Sequence, residues 1–290
     1  MDSAASARTG KGSRDENFPV ASWLIADRHR PPIMAFYDFV RTADDVADHP
    51  ELAPAEKLGL LDQLEAGLLG DDDREPAAVK LRSVLADHDL SPRHALDLLH
   101  AFRTDVTKLR YEDWDALMEY CSFSAMPVGR YVLDVHGESQ ALWPVNDALC
   151  AALQIINHLQ DCGEDYQALD RIYVPLKDMR IAGVEISDLG QGQASPALLR
   201  CLSGLAVRTE RLLDDANPFA WNIRDGRLSL EVGVIHSLAL QLVQLLKHRD
   251  PLSQRVHIGK ARAFGTMIAV LVGRTRFGRR NRVPGRRLPT

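Results

Sequence analysis

The octapeptide "RTADDVAD" (Arg41 to Asp48) sets three carboxylates, Asp44, Asp45 and Asp48, behind the apolar run "IMAFYDFV". Asp44 and Asp48 are one helical turn apart. A second polar set lies in "LCAALQIINHLQDCGEDYQALDRIYVP", where Gln154, Asn157, Asp161 and Asp165 fall at steps of three and four along one helical face. Two unit charges about 4 Å apart repel by roughly 4 kcal/mol at an effective dielectric of about 20, so facing carboxylates ask for cations. Aspartate and asparagine oxygens are hard donors suited to Mg²⁺, which completes its shell with water and phosphate oxygens. No His/Cys constellation has zinc-ligand spacing, and His136 and His158 stand alone in the sequence. Either cluster by itself reads by default as a solvated helix end. Together, among apolar helices, they imply a diphosphate held by Mg²⁺ at the mouth of an apolar cavity.

The elements that must position them are helical. Apolar residues recur at spacings of three and four in "LGLLDQLEAGLL", "ALDLLHAFRTDV", "LMEYCSFSAMPVGRYVLDV", "ALCAALQIINHLQDC", "ALLRCLSGLAVRTERLLDDA" and "LSLEVGVIHSLALQLVQLL". Breaker segments such as "DHPELAPAE", "DLSPRH" and "HRDPLSQ" separate them. Strand alternation, repeats and internal linkers are absent. The expectation is one all-α domain of roughly eight to ten helices around a central apolar cavity, spanning 17–273. A flexible tail (1–16) precedes it and a basic tail (274–290) follows.

The 290 residues are 46% hydrophobic and 26% charged, which is ordinary for a soluble globular protein. Cys121, Cys150, Cys162 and Cys201 form no CxxC pair and read as reduced cytoplasmic thiols. No signal-peptide pattern opens the chain, and no apolar run approaches the roughly 20 residues that span a bilayer. The net charge of −5 hides an asymmetry. Pro251 to Thr290 carries ten Lys or Arg and no acid, which leaves −15 on the first 250 residues.

These motifs resemble those of the trans head-to-head prenyl synthases, the squalene, phytoene and dehydrosqualene synthases. The DxxxD motif of that family is matched by Asp44 to Asp48, with Tyr37 and Arg41 upstream. Its second motif is matched by Asn157 to Asp165, followed by "RIYVP" (Arg171 to Pro175). Tyr120-Cys121 with Ser124 to Gly129, and "FRTDVTKLRY" (Phe102 to Tyr111), resemble two further family segments. In two places the chain departs from squalene and dehydrosqualene synthases: "ENFPVAS" (Glu16 to Ser22) near the start, and Gln160 where they usually carry Arg. Both variants resemble the bacterial hydroxysqualene synthase branch.

The resemblance implies an isoprenoid synthase fold, two or three Mg²⁺ ions and an isoprenoid diphosphate substrate. On the hydroxysqualene branch that substrate is presqualene diphosphate, water is the final nucleophile and no NADPH is expected. Asp44, Asp45, Asp48, Asn157, Asp161 and Asp165 become the candidate metal ligands, with Asp45 equally able to act as a cap. Tyr37, Arg41, Tyr120 and Tyr173 become candidate catalytic residues, the arginine through charge-assisted hydrogen bonds and the tyrosines through hydroxyls or ring faces. Phe18, Arg110, Ala125, Val128, Gly129, Gln154, Gln160 and Arg171 become candidate substrate contacts. Gln160 and Asn17 remain alternatives for positioning the attacking water. Other products of the same family, a non-catalytic relative and a cyclising terpene synthase are the competing readings.

Water-insoluble hydrocarbons must be exchanged with a bilayer or with a neighbouring enzyme. The Arg-rich end, following "HIGKARAFGTMIAVLVG", offers apolar residues and cations for peripheral contact with the inner face of the cell membrane. Hand-over to other squalene-pathway enzymes is the companion expectation. No nucleic-acid partner is expected.

Overall fold

Prolines sit in the first turn of six helices, where a missing N–H costs nothing because that donor has no intrahelical acceptor. The computed structural model describes Ala4, residues 26–259 and positions 265, 266, 269 and 270. Phe18, Asn17, both tail boundaries and most of the basic segment lie outside the described residues.

Twelve α-helices follow one another among the described residues: α1 (Arg30–Ala47), α2 (Pro54–Leu69), α3 (Pro76–Asp87), α4 (Arg93–Thr107), α5 (Trp114–Ser124), α6 (Met126–Val135), α7 (Trp143–Gln160), α8 (Cys162–Leu169), α9 (Leu176–Ala182), α10 (Pro196–Asp215), α11 (Phe219–Asn222) and α12 (Gly226–Leu246). No strand is present among them, only an isolated parallel bridge between Arg110 and Ile172. The count exceeds the expected eight to ten because two periodic segments are broken. Pro127 ends the ladder between α5 and α6 at Ala125, and the chain turns at Asp161 between α7 and α8.

The core has two parts. One gathers Phe36, Phe39 and Val46 of α1 with leucines of α2, α3 and α4, and Tyr131 of α6. The other joins α5, α7, α10 and α12 through residues such as Tyr120, Ile155, Leu205 and Leu242. Their junction is where the functional side chains collect. Two glycines allow close approach. A Cβ on Gly129 would fall 2.1 Å from Asn146 Oδ1, and one on Gly163 would fall 2.7 Å from Leu252 Cδ2.

One sequence expectation needs correction. α12 is 21 residues long and apolar enough by length and composition to cross a bilayer. Here it is a core helix: Leu228, Val232, Ala239, Leu242 and Leu246 are buried at steps of three, four and seven.

Candidate active site

α1 carries two stripes. Ile33, Phe36, Ala43 and Ala47 face the core, while Tyr37, Arg41, Asp44 and Asp48 run at steps of four, three and four along a cleft. The opposite wall holds Gln154, Asn157 and His158 of α7, Asp161 at the turn and Asp165 of α8. The cleft encloses about 470 Å³. Its two acidic motifs thus face one space.

The first motif is already in contact with cations. Arg41 donates to Asp44 and, at 3.3 Å, to Asp45. Arg171 Nη1 donates to Asp48 Oδ1 at 2.5 Å, and its other nitrogens donate to the backbone carbonyls of Ala47 and Asp105. Arg171 is only 7% exposed, so this buried guanidinium ties the end of α1 to α4. About a third of the Asp44 side chain still faces the cleft. Desolvation by the cleft walls and then the neighbouring Asp48 charge push its carboxyl up to about 7, against the pull of Arg41.

Beneath the cleft lies a carboxylate that sequence reading overlooked. Asp105 is 6% exposed and accepts from Tyr120 OH at 2.9 Å on one oxygen and from Tyr173 OH at 3.0 Å on the other. Burial, then the Asp105 charge, holds both phenols well above their ordinary pKa, so each stays a donor. Tyr173 also stacks on His158 with ring centroids 3.5 Å apart and lies 5.6 Å from Tyr111. His158 therefore does not stand alone. It contacts Gln154 at 3.0 Å and lies 3.8 Å from Asp165. The signal was present in the sequence: Asp105 continues the buried face Leu98, Ala101 of α4, where a carboxylate is costly unless bonded.

A second cavity, of about 250 Å³, adjoins the cleft, and the two share Tyr37, Val40 and Val128 as lining residues. Its walls are apolar side chains such as Phe36, Leu149 and Val232, with Asn146 and Glu231 as polar exceptions. A charged end and a hydrocarbon end are thus joined on one axis.

A model of the squalene/phytoene synthase family matches residues 12–262. The chain belongs to the squalene/phytoene synthase family. Hydroxysqualene synthases from Rhodopseudomonas palustris and Sinorhizobium fredii are 57% and 53% identical to it, covering 96% and 89% of this chain and 97% and 88% of theirs. A squalene synthase from Alicyclobacillus acidocaldarius superposes with a TM-score of 0.71 at 29% identity, over 84% of this chain and 91% of that one. A dehydrosqualene synthase in complex with ligand reaches 0.78 at 23% identity, over 94% and 96%, and supports the fold alone. The all-α isoprenoid synthase fold expected from the sequence is the fold observed, and the chain is an enzyme of this family.

Within this family site, the cleft brings together Tyr37, Arg41, Asp44, Asp48, Tyr120, Val128, Gln154, Asn157, Asp161, Asp165, Arg171 and Tyr173. Gly129 lines the apolar cavity instead. Four other expectations are not met by the geometry. Asp45 is buried at 5% exposure against Arg41, the position of a structural partner rather than a cleft ligand. Ala125 is buried at the break before α6 and lines neither cavity. Arg110 turns outward to Asp170, because the bridge to Ile172 fixes its backbone at the edge. Gln160 is not among the cleft-lining residues but lies in a neighbouring pocket that shares Asp161 with the cleft, where its amide donates to Val256 O at 2.5 Å. Ser124 was quoted only as part of a motif. Its Oγ is buried in the cleft wall with no hydrogen-bond partner among the described residues, a donor that a bound polar ligand would satisfy.

Proposed function

We propose that this chain is a Mg²⁺-dependent hydroxysqualene synthase, converting presqualene diphosphate and water into hydroxysqualene and diphosphate in squalene and hopanoid biosynthesis. The observation that carries the reading is the junction of two facing acidic motifs with an apolar cavity at Tyr37, Val40 and Val128. The likeness to relatives named hydroxysqualene synthase supports this branch of the family.

The donor set fits the metal. Asp44, Asp48, Asn157, Asp161 and Asp165 offer hard oxygens across one cleft, and Asp44, whose carboxyl burial and then the Asp48 charge push up, is a site that a cation would relieve. When bound, Mg²⁺ would neutralise the leaving diphosphate. Arg41 and Arg171 stand where phosphate oxygens can take over hydrogen bonds now made to Asp44 and Asp48. The C–O bond to diphosphate breaks with its electron pair on the leaving group. The resulting carbocation rearranges against Phe36, Val128 and the Tyr37 ring of the apolar cavity. Water oxygen then forms the new C–O bond and loses one proton, so no hydride is consumed.

The deciding experiment supplies purified protein with presqualene diphosphate and Mg²⁺ but no NADPH, with product identified by mass spectrometry. The expected product is a tertiary alcohol of thirty carbons. Squalene, or turnover of farnesyl diphosphate alone, would move the chain to another branch of the family.

A cytoplasmic enzyme with salt-sensitive membrane contact through residues after Gln254 is part of the same proposal, as is passing product to a neighbouring pathway enzyme. Its support is the run of basic residues without acids. Each cation near an anionic surface contributes about 1 kcal/mol. Flotation of the full chain with anionic liposomes, compared with a chain ending at Leu252, should show binding lost on truncation and at high salt. Equal flotation of both removes the tail from the reading.

A further inference from the structure

About 22 Å along α1 from Asp44, at a rise of about 1.5 Å per residue, three helix ends converge. His29 precedes α1, His136 follows α6 and Asp225 caps α12. The two imidazoles lie 4.1 Å apart by ring centroid, and one ligating atom from each of the three residues lies within 4.8 Å of the others. His136 was read from the sequence as solitary, and no zinc spacing was visible. Residues separated by more than a hundred positions in one step cannot be seen as a cluster without the fold.

We propose that His29, His136 and Asp225 form a site for one divalent transition metal of the zinc class, separate from the acidic cleft. Two imidazoles and one carboxylate are borderline donors that suit Zn²⁺ better than Mg²⁺. Their spacing closes to tetrahedral bonds of about 2.0–2.2 Å with small side-chain rotations.

The supporting contacts match what a metal site requires. His136 Nδ1 lies 2.8 Å from Val132 O, so that nitrogen donates its proton and Nε2 keeps the lone pair. A ligating histidine is characteristically oriented by such a bond to a backbone carbonyl. Asp225 Oδ1 caps α12 by accepting from the amides of Arg227 and Leu228 at 2.9 and 3.0 Å, which leaves Oδ2 for a cation. The cation now nearest Oδ2 is Arg28 at 3.8 Å, whose Nε also donates to His29 Nε2 at 2.9 Å. The Arg28 side chain is 73% exposed, so its displacement by a metal loses little packing. Burial and the adjacent His136 lower the pKa of His29, which keeps a lone pair available near neutral pH.

The site would act on the hydrocarbon cavity. Ile33, Val132 and Leu228 line that cavity and stand four, four and three residues from the three ligands. A metal joining the helix ends would fix the distal end of the space that receives the hydrocarbon chain.

The test uses the full chain stripped with a chelator and titrated with Zn²⁺ alone, followed by calorimetry and thermal melting, with Co²⁺ absorption as a report on geometry. The expected result is one Zn²⁺ per chain, a raised Tm and a tetrahedral-type Co²⁺ spectrum. His136→Gln and Asp225→Asn should each weaken Zn²⁺ binding at least tenfold. Asn still caps a helix, so Asp225→Asn retains the fold and any loss reflects the ligand. Mg²⁺ affinity at the acidic cleft should be the same in both variants as in the wild type. Absence of Zn²⁺ binding, unchanged affinity in both variants, or binding abolished instead by Asp161→Asn would overturn the proposal.

Discussion

The two acidic motifs contain the same residue type but sit in different electrostatic states. The first, on α1, is bonded to guanidinium groups: Arg41 on Asp44 and Asp45, Arg171 on Asp48. The second lies where α7 turns into α8, with Asp161 exposed and Asp165 facing the imidazole of His158 at 3.8 Å. The first motif is therefore part of the framework as well as of the site. The second borders solvent at Asp161.

Removing one carboxylate from each motif sharpens that difference. Asp161→Asn should lower turnover at least about a hundredfold with a smaller loss of Tm than Asp48→Ala, because a metal ligand is lost at an exposed position and the amide keeps an acceptor oxygen. Asp48→Ala should lower turnover comparably and also destabilise the fold by about 2 kcal/mol, because Arg171 loses a charged hydrogen bond in a buried setting. Melting curves read the stability and steady-state rates the activity. Equal Tm losses in the two variants would remove the distinction.

Proton competition gives the next effect. With its carboxyl pushed up to about 7, Asp44 binds a proton more tightly folded than unfolded. Its contribution to the stability of metal-free protein is thus full below about pH 4 and lost as pH rises toward 7. Mg²⁺ needs the ionised form, so its affinity should rise about tenfold between pH 6 and pH 8. In Asp44→Asn that dependence should flatten. A pH-independent affinity in the wild type would show that Arg41 already keeps Asp44 ionised.

Both motifs, their helical spacing and the all-α class were legible in the sequence because steps of three and four map directly onto one helix face. Asp44 and Asp48 needed nothing more, whereas Tyr37 was a candidate only through the family resemblance. What pairing across helices decides was not legible. The phenols of Tyr120 and Tyr173, expected to reach a ligand, are engaged by Asp105 from another helix. His158 gains its role only by stacking on Tyr173, which follows α8.

That buried triad allows a smaller test. Tyr120→Phe removes one of the two donors to Asp105 and should destabilise the protein by about 1–2 kcal/mol. Tyr173→Phe should do the same, and the double variant should lose more than the sum, since Asp105 would be left without either phenol. Additive losses would show that Arg171 alone suffices to hold the carboxylate.

The smallest expected effect concerns Gln160, the last residue of α7, six residues after Gln154 and next to Asp161. Its amide bonds Val256 O, and the pocket around it holds Glu164, Gln167 and Leu252, with Asp161 as the residue it shares with the cleft. Gln160→Ala should therefore cost about 1 kcal/mol of stability through the lost hydrogen bond and change turnover less than about threefold. The alcohol should remain the product. The competing expectation, that a neutral residue here positions the attacking water, requires the side chain to leave Val256 O and turn past Asp161 into the cleft. Gln160→Arg separates the two: a guanidinium on the outer face has room beside Glu164 and should leave product unchanged. A switch from alcohol to hydrocarbon, or a collapse of turnover with Tm intact, would place Gln160 at the reacting atoms after all.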